Sequence, residues 1–224
     1  MPIPNRYYEA VNGWSAARME SIADNQLYHP IAQNVRQVDW HGKYTAGAGS
    51  ALYTARSFPK EYWNRVSFVT EPTGHLIGQF RFEGSGADFK ATNEKNFLAS
   101  DDEWFSPIMA EVGPDGALWV LDWYNFIIQH NPVPNGFKNG KGNAYETPLR
   151  DKSHGRIYRV THRNGQTAAK VDLSGRDTAR WMTALGSPVM EVRLQAQRRL
   201  VETQDRSLVP ELVRMASDAS VDEL

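Results

Sequence analysis

Two carboxylates stand where strand-like runs end: Glu71 after Val66-Ser67-Phe68-Val69-Thr70, and Asp122 after Ala117 to Leu121. Hard oxygens at such positions suit Ca²⁺, although a carboxylate beside a turn more commonly accepts backbone N–H groups. Trp104 and Phe105 offer faces that could stack on a sugar or quinone ring, or pack between sheets. Trp123 and Tyr124, just beyond Asp122, are placed for the rim of such a pocket, whereas Trp119, between Leu118 and Val120, reads as core. His75 stands alone at a strand start, and none of the six histidines has metal-ligand spacing such as HExxH. Ser50 lacks the His and Asp partners of a triad, which argues against a hydrolase. Arg150, Asp151, Arg156 and Arg159 read as a solvated ion-pair network at a loop exit.

Composition narrows the chemistry further. Zero cysteines exclude disulfides, thiolate metal sites, a cysteine nucleophile and CxxCH haem attachment. A net charge of −1, from 25 Lys and Arg against 26 Asp and Glu, gives no long-range field for nucleic acid or an anionic membrane surface. No run approaches the roughly 20 apolar residues of a membrane helix, and Met1 to Ala10 lacks the apolar stretch of a signal peptide. With 41% apolar residues among 224, the chain can still build a packed core.

The elements that must position these residues are short strands, then helices. Residues 1–45 show no sustained period and read as irregular. Strands are expected at Ala51 to Arg56, Val66 to Thr70 and His75 to Phe82, with Phe58 to Tyr62 as a turn or short helical loop. The order then recurs: Pro107 to Val112, the turn Gly113-Pro114-Asp115-Gly116, Ala117 to Asp122, and His154 to Val160. Tyr158-Arg159-Val160 stands in the place of Phe80-Arg81-Phe82, and Asp122 follows Glu71 by 51 residues, near the period of propeller blades. The long stretch Tyr124 to Ser153 is either a surface excursion or a lid. After Gly175 the period changes to 3.6. Asp177 can cap a helix through Leu185; Ser187-Pro188 can open a second, about Val189 to Glu202, with Val192, Ala196 and Leu200 on one face. A third, near Leu208 to Ala216, should turn Leu212, Val213 and Ala216 inward. Helices this short need a partner for their apolar stripes, so the tail from about Arg176 should dock on the last blade.

Three stretches carry a family resemblance: Gly49 to Tyr53 with Phe58-Pro59-Lys60-Glu61-Tyr62; Phe68 to Leu76; and Phe97 to Ser100 through Trp104-Phe105-Ser106-Pro107 to Val112-Gly113-Pro114-Asp115-Gly116 and on to Tyr124. With His154 to Val160, Leu185 to Pro188 and Arg193 to Leu200, these resemble the membrane-bound dehydrogenases related to glucose/sorbosone dehydrogenases, over about residues 45–215. The resemblance implies a mainly β fold, the C-terminal part of a six-bladed β-propeller followed by a short α-helical HEAT-like segment. Residues 1–45 would be an irregular propeller segment, 46–173 the last two blades, and 174–224 the start of HEAT-type repeats. The chain would then be a piece of a longer periplasmic or extracellular protein, a sugar or alcohol dehydrogenase with a haem c domain or cytochrome as acceptor. Its catalytic base would lie elsewhere; the alternative is a non-catalytic binding or scaffold propeller.

By the same resemblance, pyrroloquinoline quinone and calcium would be held in the full-length protein, with His75, Trp104, Ser106 and Tyr124 toward the cofactor and Glu71 and Asp122 toward the metal. One position departs from the pattern. The family has Arg where this chain has Ser106, so an anionic quinone loses a charge-assisted pair. Neither group is expected to bind this chain tightly, and in the full-length protein Ser106→Arg is expected to tighten the quinone.

Overall fold

The computed structural model describes residues 21–36, 42–45, 47–128, 135–136, 138 and 147–220. Two antiparallel meanders make up its β portion. β1 (Ser50–Leu52), β2 (Val66–Glu71), β3 (Leu76–Ser85) and β4 (Asp88–Ala99) form one sheet in chain order; β5 (Pro107–Val112), β6 (Leu118–Asp122) and β7 (Arg156–Val160) form the other. The β-branched and aromatic residues of β2 suit a pleated surface buried on both sides. The β5–β6 turn closes with Gly116 N–H donating to Gly113 O at 2.9 Å while Gly116 takes φ +77°, a conformation glycine adopts without strain.

The ladders align the two units more accurately than sequence does. Glu71 pairs with Leu76 and Asp122 with Arg156, so Phe80 is equivalent to Val160, not to Tyr158. The sequence match is two residues out of step, and an even slip leaves each side chain on its own face. β4 was not expected: Asp-Phe-Lys-Ala-Thr-Asn-Glu-Lys has no sustained apolar alternation. It pairs along the length of β3, and its outer edge is met by residues 22–24, with Asp24 N–H to Ala91 O and Ala91 N–H to Ile22 O at 2.9 and 2.8 Å. Of the irregular opening segment, 21–36 and 42–45 carry only isolated bridges, while 1–20 and 37–41 lie outside the described residues. So does most of the long β6–β7 connection.

One face of the first sheet, with Ala51, Tyr53 and Phe68, turns to the second sheet, which presents Ala110, Leu118 and Val120; all six are buried in a single core. A Cβ at Gly49 would lie 2.8 Å from Ile108 O and Met109 Cα, so glycine there sets how closely the sheets approach. Tyr53 locks the seam, its hydroxyl donating to Gly116 O and accepting from Phe58 N–H, both at 2.8 Å. The opposite face of the first sheet lies under Tyr28 and Tyr44, whose rings stand edge-on at 5.7 Å. Trp119, expected in the core, is 37% exposed, because it stands on the face of the second sheet turned away from Val120 and the core, where its indole N–H donates to Asp115 Oδ1 at 3.1 Å.

Three helices follow: α1 (Thr178–Ala184), α2 (Met190–Thr203) and α3 (Val209–Ala216). Asp177 caps α1 as expected, its Oδ1 accepting from Arg180 N–H at 2.9 Å. Ser187-Pro188 does not open α2. Val189 is its N-cap, because Val189 pairs with Ala55 and Met190 N–H donates to Thr54 O at 3.3 Å, extending the chain for one residue more. Ala184, Val189, Val192 and Ala196 join the main core, so the tail is docked, on the chain just after β1 rather than on the second sheet alone. α3 departs from expectation: Leu212 is half-buried, while Val213, at 58% exposure, and Ala216 face outward. That helix adjoins the single turn Arg206–Leu208 and contributes no buried residue to the core.

Ala196 is fully enclosed. Ala196→Leu should overpack the seat and cost about 1–3 kcal/mol, read by urea denaturation, and should speed protease cleavage at Ser174-Gly175. Wild-type stability in this variant would mean that the tail is not held through α2.

Candidate functional site at the strand ends

Glu71 and Asp122 end β2 and β6 and are both buried. Glu71 Oε1 accepts from Thr73 N–H at 3.2 Å and Oε2 from Thr45 N–H at 3.1 Å. Asp122 Oδ1 accepts from Tyr124 N–H and Ser106 N–H, both at 2.8 Å. Each carboxylate therefore stitches the amide two residues on in its own turn to an amide from an earlier segment, which compensates the cost of burying its charge. Burial, then the Glu71 charge, pushes the Tyr28 phenol up to about 12 and moves Tyr44 the same way. Three of the four carboxylate oxygens are thus occupied by amides, and Asp122 Oδ2 is enclosed. A calcium ion takes six to eight oxygens, and among the described residues no three Asp, Glu or His gather. Glu71 and Asp122 do not by themselves fit that ion.

His75 sits in the turn between β2 and β3 with φ +58° and is 1% exposed. Its Nδ1 lies 2.7 Å from Phe105 O; a carbonyl only accepts, so Nδ1 carries the proton. Nε2 is enclosed with no hydrogen-bond partner among the described residues. Next to Phe105, Ser106 is fully enclosed; its Oγ accepts from Asn125 N–H at 2.9 Å. His75, Ser106 and Asp122 are thereby joined in one chain of buried bonds running from the first sheet to the second. An arginine at 106 has no room to extend toward a ligand without displacing Asn125, so the expected gain from Ser106→Arg does not follow from this geometry.

Trp104 and Tyr124 do come together, at the rim. Their ring centroids are 5.8 Å apart, with Phe126 6.3 Å from Trp104 and His154 edge-on to Tyr124 at 6.2 Å. Arg156, the first residue of β7, lays its guanidinium 3.7 Å over the Tyr124 ring. Its Nη1 donates to Tyr158 Oη and Asp102 Oδ2 at 3.2 Å and lies 4.0 Å from Asp122 Oδ2. The Tyr158 hydrogen bond, with Asp102 behind it and partial burial opposing, holds this guanidinium above its ordinary pKa. Arg156 is thus committed to these partners, while Arg150 and Lys152 stand nearby beside Trp104. An open hollow of about 680 Å³ adjoins Trp104, lined by Thr147, Arg150, Asp151 and Lys152 among others. A hollow of similar size between α2 and α3 is lined largely by aliphatic side chains and lies in the tail. The first gathers aromatic, cationic and acidic groups, as does a smaller hollow in the tail lined by Trp181, Arg176, Arg199 and Glu202 among others.

The charged quartet read from sequence is not one network. Asp151 bonds His154 and the amide of Ser153, Arg156 pairs with Asp102, and Arg159 pairs with Asp115 at 2.5 Å. Asn125 and Asp102 were not singled out from sequence, because each acts through a bond to a residue distant in the chain: Asn125 Nδ2 to Asp151 O, and Asp102 to Arg156.

Residues 1–164 match the family described as a domain of unknown function, DUF7133. The chain belongs to that family. Comparison with curated proteins gives no match. Among solved structures, the soluble aldose sugar dehydrogenase of Escherichia coli in its apo form shares 26% identity over 33% of this chain and 19% of its own, at a TM-score of 0.27. A glucose dehydrogenase shares 24% identity over 33% of this chain and 21% of its own, also at 0.27. The DUF7133 chain spans about a fifth of the length of either.

In this DUF7133 chain, Ser106→Ala leaves the buried Asn125 N–H without an acceptor. A loss of about 1–3 kcal/mol is expected, measured by urea denaturation, and Ser106→Arg should lose at least as much. Arg at 106 with unchanged stability would show that the position opens to solvent.

Proposed function

We propose that this DUF7133 chain supplies a sugar-binding rim to a sugar- or alcohol-dehydrogenase-like β-propeller, in which its two meanders are consecutive blades. The observation that carries the ligand class is the stack of Arg156 on Tyr124 beside Trp104, with Asp102 at hydrogen-bond distance from the guanidinium. A sugar ring has apolar C–H faces and a belt of hydroxyls; aromatic rings suit the first, and a paired carboxylate and guanidinium suit the second. The propeller reading is supported by the sequence resemblance and by the stitched carboxylate repeated after 51 residues. On this reading α1 and α2 open a HEAT-type array, the whole protein is periplasmic or extracellular, and a haem c domain or cytochrome takes the electrons.

Pyrroloquinoline quinone and calcium, where the whole protein uses them, would be held chiefly by residues outside these two meanders. A binding or scaffold propeller without redox chemistry is the second reading. The enclosure of Ser106 and the amide-bound carboxylates favour it.

Titration of the ¹⁵N-labelled chain with glucose should shift the Trp104 indole resonance saturably, with a dissociation constant of about 1–10 mM, and Trp104→Ala should weaken binding at least tenfold. No shift at 100 mM glucose or methyl glucoside would overturn the rim assignment. Dye reduction by this chain with glucose, the quinone and Ca²⁺ is expected to be nil; turnover would favour the redox reading over the scaffold one.

A further inference from the structure

The hollow beside Trp104 holds more positive charge than a neutral sugar would use. Arg150, Asp151 and Lys152 line it together with that indole, two cations against one anion. The hydrogen bonds widen the imbalance. Asp151 Oδ1 accepts from the amides of Ser153 and His154 at 2.6 and 3.2 Å, and Oδ2 meets His154 Nδ1. These donors, the Ser153 amide first, hold the Asp151 carboxyl below the usual carboxylate range. Both of its oxygens are thus engaged within its own turn.

The carboxylates that precede Trp104 are committed as well. Asp102 Oδ1 accepts from Trp104 N–H and its Oδ2 from Arg156, while Glu103 Oε1 accepts from the amide and side chain of Asn34. Asp101 is exposed and does not line the hollow. Arg150 is half-buried and anchored, its Nη1 donating to Ile127 O at 3.4 Å. Lys152 differs from all of these. It is exposed, and it makes no ion pair or hydrogen bond with any described residue.

An ammonium on a flexible stem beside an aromatic platform adds little to the binding of neutral hydroxyls, for which Asp102 and Arg156 already suffice. It adds a contact when the ligand brings a negative charge. We propose that Lys152, backed by Arg150, makes the rim selective for an acidic sugar, one whose ring carries a carboxylate or a sulfate ester. The inference rests on the reading of the rim as a sugar site and names the class of sugar. The hollow is open to solvent, so the ion pair is an exposed one. Its contribution is a preference of about threefold to fivefold, laid on top of the stacking at Trp104.

The whole ¹⁵N-labelled chain is titrated with methyl glucoside, methyl glucuronide, the uncharged methyl ester of that glucuronide, and glucose 6-sulfate, each read at the Trp104 indole. In about 20 mM salt the glucuronide or the sulfate should bind about threefold to fivefold more tightly than the two neutral sugars. In about 300 mM salt the advantage should fall below about twofold, because the pair is screened. Whichever acidic ligand binds more tightly distinguishes a uronic acid from a sulfated sugar as the source of the charge. Lys152→Gln should bring acidic and neutral sugars within about twofold of one another and leave the Tm within about 2 °C, since the side chain is exposed. Equal binding of all four ligands by the wild-type chain would overturn the proposal and leave the sugar rim standing. An advantage that survives Lys152→Gln would overturn it too, as would acetate alone shifting the indole as far as the glucuronide does. No response to any of the four would remove the rim and this inference with it.

Discussion

Everything at the strand ends depends on two negative charges that have been taken out of water. A buried carboxylate is tolerated only where N–H donors converge on it, and Glu71 and Asp122 each collect two backbone amides from different segments. Because the donors are main chain, the constraint falls on backbone position. Thr45 and Thr73 must come to Glu71, and Ser106 and Tyr124 must come to Asp122. The second pair fixes where β5 begins and where β6 gives way to the rim.

The remaining architecture transmits that constraint. Ser106, held by its amide, presents Oγ to Asn125, and the preceding residue, Phe105, accepts from His75, so the entry to β5 is tied to both sheets. Tyr53 makes the matching tie at the other end of the seam, against Gly116. Between the two ties the apolar side chains of both sheets close into one core, which also receives Ala184, Val189, Val192 and Ala196 from the helices. The rim residues Trp104 and Tyr124 each lie two positions from a stitched residue, which makes an exposed aromatic pair compatible with a fixed geometry.

Much of this was legible in the chain, for identifiable reasons. Six of the seven strands carry a β-branched, alternating or turn-bounded signature, and the carboxylate repeat was visible because two acidic residues end two such runs 51 residues apart. β4 was not legible, because an edge strand rich in Lys, Asn and Glu leaves no apolar period to read. Trp119 departs from expectation for the opposite reason: a large aromatic between Leu118 and Val120 implies burial on both faces, whereas Leu118 and Val120 alone enter the core and Trp119 stays 37% exposed. The start of α2 slipped past Ser187-Pro188 because a single bridge between Val189 and Ala55, 134 residues away, outweighs a local cap. Of the candidate site, the residue types were readable and their roles were not. Ser106 drew notice as a missing arginine, yet its part here is an enclosed bond to Asn125, which only the fold brings within reach.

Amide hydrogen exchange on Asp122→Ala tests the central claim most directly. Removing the carboxylate should raise exchange at Ser106 and Tyr124 by at least tenfold while Thr45 and Thr73, which answer to Glu71, stay as protected as in the wild type. Unchanged protection of Ser106 and Tyr124, with wild-type stability, would contradict the view that the buried carboxylate holds the strand ends in place.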